Sequence, residues 1–145
     1  MAEAEFEVAT FRPATVEDIE TIEQLVEPYV AQRKLLPRTH AELARLIPHG
    51  FVAEHEGRMI GFAAIEIYST KLAEIQCLAV AGHMQGKGIG KRLIRQCVLR
   101  AREHGIHELM AITASEELFK DCGFDYSLPD QKRALFIHPR EMSPD

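Results

Sequence analysis

The chain has 145 residues. That is enough for a single domain, residues 1–145, burying roughly 70% of the surface its unfolded form exposes, so no disulfide or metal is needed to hold it together. A formal net charge of -5 with 46% hydrophobic and 27% charged residues fits a soluble globule and argues against nucleic acid and membrane surfaces as partners. Met1 to Phe11 lacks the basic start and apolar run of a signal peptide, and no apolar run approaches a membrane span.

The spacing of apolar residues predicts the elements in order. Phe6 to Arg12 alternates and reads as a first strand. Thr15 with Asp18 three residues on resembles a capping box, and the helix after it carries Ile19, Ile22, Leu25, Val26 and Tyr29 on one face. Pro28 is expected to end or bend that helix. Leu35 to Thr39 forms a linker, with Thr39 as N-cap of a short helix to Ile47. Phe51–His55 and Met59–Ile67 flank Glu56-Gly57-Arg58 as a hairpin, and Leu72–Val80 is the next strand. A long helix follows from Lys91 to Glu103, then a strand His107–Thr113 and a short helix Ser115–Cys122. Gly123–Tyr126 and Arg133–Ile137 read as two closing strands.

Between the Leu72–Val80 strand and the long helix lies Gln85-Gly86-Lys87-Gly88-Ile89-Gly90. Three alternate glycines let the backbone curl closely around a ligand, and N–H groups at a helix start converge on an anion such as pyrophosphate. A P-loop does not fit, because Gly82 to Gly86 is one residue short and Gly88 replaces the metal-binding hydroxyl. A dinucleotide fingerprint does not fit either, since the third glycine comes one place early and past mid-chain. A plain glycine-rich turn remains the bland alternative. Lys87, Lys91, Arg92 and Arg95 put positive charge beside the loop, which suits a phosphorylated small molecule.

Val80 to Gly90 resembles the acyl-CoA pyrophosphate loop of GNAT-type N-acetyltransferases, Q/R-x-x-G-x-G/A, and the resemblance covers nearly the whole chain. It implies an α/β (α+β) fold. The sheet would be mixed and mostly antiparallel, of about six to seven strands, flanked by about four helices and splayed beside the strand before the loop. It further implies acetyl-CoA as cosubstrate. The pyrophosphate would lie on Gln85, Gly86, Lys87, Gly88, Ile89, Gly90 and Lys91, and the pantetheine arm along Leu78, Ala79 and Val80. The Leu78 N–H would donate to the thioester oxygen. Members of the family form dimers through strand edges and the closing hairpin, so a homodimer is an expectation of the resemblance.

Direct acetyl transfer to an amine needs a proton acceptor and an oxyanion donor, but no covalent nucleophile. Glu74 is a carboxylate within an otherwise apolar strand, where glutamate is poorly suited, and it matches the strand glutamate that takes the amine proton in some family members. A solvated edge charge is its bland alternative, and Glu66 in the hairpin is a second candidate at the substrate side. Many relatives place a tyrosine in the helix after the fifth strand as acid for the departing thiolate. Here Phe119 stands there and cannot donate a proton, leaving Ser115, water or unassisted departure.

The segments Leu35–Thr39, Leu72–Ile75, Phe119–Phe124 and Lys132–Phe136 together resemble the acetyltransferase domain of N-acetylglutamate synthase. In that branch the arginine matching Arg38 holds the substrate carboxylate, and a guanidinium suits that task. Arg140 would cover part of a role that the branch gives to its basic tail. The resemblance implies acetylation of a small amine, an amino acid of glutamate-like kind. Alternatives are acetylation of a protein or peptide, and a non-catalytic acyl-CoA sensor. Seven histidines show no metal-ligand spacing, so no metal is expected. Cys77, Cys97 and Cys122, an odd number without C-x-x-C spacing, read as reduced thiols in a cytoplasmic protein.

Overall fold

A computed structural model describes residues 9–143. Five strands make one sheet in the order β1-β2-β3-β4-β5. They are β1 (Ala9–Pro13), β2 (Gly50–His55), β3 (Arg58–Ile67), β4 (Leu72–Val80) and β5 (Glu108–Met110). The first four pair antiparallel, and β5 joins β4 in parallel. Four α-helices flank the sheet: α1 (Ile19–Ala31), α2 (His40–Leu46), α3 (Ile89–Glu103) and α4 (Glu116–Asp121). This is the expected mixed, mostly antiparallel architecture.

Two apolar layers sandwich the sheet. On one face Ile22 and Val26 of α1 and Leu43 and Leu46 of α2 pack on Val52, Phe62 and Ala64. On the other, Leu93, Ile94 and Cys97 of α3, with Phe119 of α4, pack on Ala53, Ile60 and Ile65. The predicted faces follow from 3.6-residue and two-residue spacing and are those that are buried. Arg12 ties the start of α1 to the sheet. Its terminal nitrogens reach both Asp18 oxygens at 2.8 Å and its Nε reaches Glu54 at 2.8 Å. The guanidinium holds the Asp18 carboxyl below its usual range. Thr39 caps α2 as expected, accepting from the Glu42 N–H at 3.1 Å.

Three expectations change. α1 does not end at Pro28 but runs on to Ala31. The carbonyl that loses its partner belongs to exposed Gln24, where water can replace the missing N–H. β5 is three residues long instead of seven. The predicted closing strands do not form: residues 123–126 and 133–137 have no strand structure, and Leu135, Phe136 and Ile137 are 92%, 76% and 66% exposed. Apolar alternation there reflects β-propensity, which becomes a strand only with a partner edge to pack against. The part of the predicted first strand before Ala9 lies outside the described residues.

Candidate active site

The decisive local feature is a β-bulge in β4. Phe62 opposes Ala79 and Ala64 opposes Gln76, so Ala63 faces two residues, Cys77 and Leu78. Cys77 takes a left-handed φ of 63°, costly for a non-glycine residue and typical of such kinks. The bulge breaks the strand's alternation. Ile75 faces α3, whereas Cys77 packs with the α1 and α2 layer, and Leu78 returns to the α3 side. Gln76 and Cys77, adjacent in sequence, therefore both face α1 and α2.

Beyond the bulge β4 has an open edge. β5 pairs only with Leu72, Ala73 and Glu74, which leaves residues 75–80 unpaired on that side. This is the expected splay. The glycine loop continues from it. Gly86 and Gly88 have φ of 78° and 82°, and Gly88 is the N-cap of α3. A Cβ at Gly86 would have nothing within 4 Å, so the glycine there fills no packing need. The N–H groups of the first turn of α3 have no helical acceptor upstream, which suits an anion. Such a cradle fits a pyrophosphate.

Tyr29 moors this loop. Its hydroxyl donates to the Val80 carbonyl and accepts from Gln85 Nε2 at 2.7 Å. Lys91 pairs with Asp121 at 3.5 Å, and the Arg92 guanidinium lies 4.1 Å from the Phe11 ring centroid. Both residues thus have protein contacts close to the loop.

On the α1 and α2 face a cleft of about 450 Å³ is lined by Val26, Glu27 and Val30 of α1, by Leu36, Pro37 and Arg38 of the linker, and by Cys77. Beside it Arg38, Glu66 and Gln76 line a pocket of about 30 Å³. Glu66 and Glu74 are direct cross-strand partners, an arrangement that like charges oppose. Two donors offset this. Tyr68 donates its hydroxyl to Glu74 at 2.6 Å, and Gln76 Nε2 donates to Glu66 at 2.6 Å. Burial and the Glu74 bond push the Tyr68 hydroxyl well above the usual phenol range, so it stays protonated as a donor.

Arg38 joins the group through Gln76 Oε1, which accepts from Nε and Nη2, each at 3.3 Å. Nη1 donates to the Leu36 carbonyl at 3.1 Å. A guanidinium has five N–H groups; these bonds engage three of them, and Arg38 also acts on the Cys77 thiol, lowering its pKa against the rise that burial causes.

Sequence reasoning named Arg38, Glu66 and Glu74, and the structure brings all three together. It missed Gln76 and Tyr68, although Gln76 lies two residues from Glu74, on the same side before the bulge, and Tyr68 two from Glu66. In the sequence Tyr29 marks only part of an apolar face. Arg140 lies in an exposed 3-10 turn, Pro139–Glu141, and lines neither the cleft nor the pocket. Phe119 is buried, its ring edge-on to Phe124 at 5.3 Å, and Ser115 stands exposed at the start of α4. Cys77, Cys97 and Cys122 are free thiols. Among the described residues no group of three or more His, Cys, Asp or Glu could hold a metal ion, and no helix is long and apolar enough to cross a membrane.

Residues 16–124 match the Acetyltransferase (GNAT) family. The chain belongs to the GNAT family. Within it, the chain is 37% identical over 131 residues to an amino-acid acetyltransferase of Ralstonia nicotianae, an alignment covering 86% of this chain and 29% of that one. The GNAT fold is also that of Rv2747 from Mycobacterium tuberculosis, solved with CoA (TM-score 0.73, 30% identity, 79% of this chain and 70% of that one). N-acetylglutamate synthase from Neisseria gonorrhoeae, complexed with coenzyme A and N-acetyl-glutamate, is similar too (TM-score 0.72, 33% identity, 78% of this chain and 27% of that one). The chain therefore spans less than a third of the length of the Ralstonia and Neisseria relatives.

Proposed function

We propose that this GNAT protein transfers the acetyl group of acetyl-CoA to the amine of a small carboxylate-bearing molecule, an amino acid of glutamate-like kind. The observation that carries the reading is Arg38. It lines the cleft that ends at the β4 bulge, with N–H groups beyond those that Gln76 and Leu36 engage and with Glu74 on the same strand. The similarity to amino-acid acetyltransferases supports it.

In this reading the curl from Gln85 to Gly90, with Lys91, binds the pyrophosphate, and the open edge of Leu78, Ala79 and Val80 receives the pantetheine arm. A bulge leaves one backbone N–H outside the ladder; that of Leu78 is offered to the thioester oxygen. The amine nitrogen attacks the carbonyl carbon, a C–N bond forms, and the C–S bond breaks. Glu74 takes the amine proton directly or through water, and CoA departs as the thiolate, which is then protonated by solvent. Holding both reactants in one cleft supplies much of the rate.

The test is thiol release from acetyl-CoA with the amino acids, polyamines and a lysine peptide as acceptors. Release with L-glutamate or another amino acid is expected. Silence with every amino acid, while calorimetry shows CoA bound, would refute the reading and favour a macromolecular acceptor or a sensor.

A further inference from the structure

We infer that Gln76 is a positioning residue that sets acceptor specificity: its side-chain amide separates Arg38 from Glu66 and so keeps the remaining N–H groups of Arg38 open for the α-carboxylate of the acceptor. The inference rests on the proposed role of Arg38.

Chemistry fixes the amide's orientation from both ends. A guanidinium only donates and an ionised carboxylate only accepts. The atom facing Arg38 must therefore be Oε1, at 3.3 Å from both Nε and Nη2. The atom facing Glu66 must be Nε2, at 2.6 Å. A second bond from the same nitrogen reaches the Tyr68 hydroxyl at 3.2 Å. A glutamate at this place could not donate to Glu66, and a lysine could not accept from Arg38.

The amide stands between opposite charges that line one pocket of about 30 Å³. Without it, a guanidinium and a carboxylate face each other in a part-buried site, and the forked pair between them is the strong, short kind of charge-assisted bond. Such a pair would consume the donors that the acceptor needs. Ordinary alternation brings Gln76 to this spot, two residues from Glu74 and opposite Ala64, and the bulge begins one residue later.

The experiment compares kcat/KM for L-glutamate and for 4-aminobutyrate, which lacks the α-carboxylate, in four variants: the parent, Arg38→Ala, Gln76→Leu, and Gln76→Leu with Glu66→Gln. The ratio of the two acceptors cancels any loss of folded protein. The parent should prefer L-glutamate, and Arg38→Ala should lose that preference. Gln76→Leu should reduce it at least tenfold through KM, and adding Glu66→Gln should restore most of it. Arg38→Ala losing the preference while Gln76→Leu keeps it would overturn the inference and leave the clamp standing. A loss in Gln76→Leu that Glu66→Gln does not restore would also overturn it. No preference in the parent, or its survival in Arg38→Ala, would remove the clamp reading and the inference with it.

Discussion

Replacing Gly86 by alanine separates what the glycine loop does for folding from what it does for binding. Gly86 has a φ of 78°, and an added Cβ would have nothing within 4 Å. The folding cost is therefore confined to the backbone. A left-handed conformation costs an L-residue roughly 1–2 kcal/mol, and alanine's stiffer unfolded chain offsets roughly 0.4–1 kcal/mol. About 1 kcal/mol remains, a fall in Tm of about 3–4 °C for a chain of this size. Gly57 in the β2–β3 turn is a matched control, with a φ of 74° and nothing within 4 Å. Gly57→Ala should lose the same few degrees. Only Gly86→Ala puts a methyl into the curl that a pyrophosphate would enter. Its Kd for CoA, measured by calorimetry, should rise at least about tenfold, or about 1.4 kcal/mol. Gly57→Ala should bind CoA like the parent. Equal affinity in the two variants would refute the loop as the phosphate cradle. A Tm loss beyond about 10 °C in Gly86→Ala would refute the reasoning that only local backbone strain is at stake.

Glu74→Gln should lower kcat by about 100-fold, within the range expected of a general base, with CoA affinity unchanged; unaltered turnover would remove Glu74 from the chemistry. Phe119→Ala should cost about 3–5 kcal/mol in urea denaturation, since the side chain is buried against Phe124; a loss below about 1 kcal/mol would mean that α4 does not anchor the core. Burial, then His104 and Arg100, lowers the pKa of His49 below its ordinary 6.5. The unfolded chain thus takes up this proton first, so the stability it contributes is complete above the unfolded value and is lost as pH falls through the folded one. Denaturation at pH 7.5 and 5.5 should show a smaller acid loss in His49→Gln than in the parent, and an equal loss would exclude His49 as a cause.

The elements with strong periodicity were legible in the sequence, because the residues that mark them face a core. Leu93, Ile94 and Cys97 on α3 are all fully buried, and every second residue of β4 from Ala73 to Ala79 is buried. Glu74 stood out for the same reason, as a charge where apolar residues are expected. The bulge left no such mark. Cys77 is a residue that any strand can hold, and its left-handed φ follows from the mismatch between β3 and β4, which only pairing reveals. Gln76 was invisible because the two partners it stands between are far from it in sequence, Arg38 by 38 residues and Glu66 by 10. At the C-terminal end apolar pattern and structure part. Leu135, Phe136 and Ile137 have strand-forming side chains, but no neighbouring edge supplies their ladder.

The extra residue in β4 also makes the strand modular. In an unbroken strand, inserting or deleting one residue turns every later side chain to the opposite face. Here the alternation is reset at Cys77, so residues 72–76, which carry Glu74 and Gln76, and residues 78–80, which run into the glycine loop, keep separate registers. A junction at Cys77 is thus where segments from two related proteins could be joined, exchanging residues 72–76 while the glycine loop stays in frame.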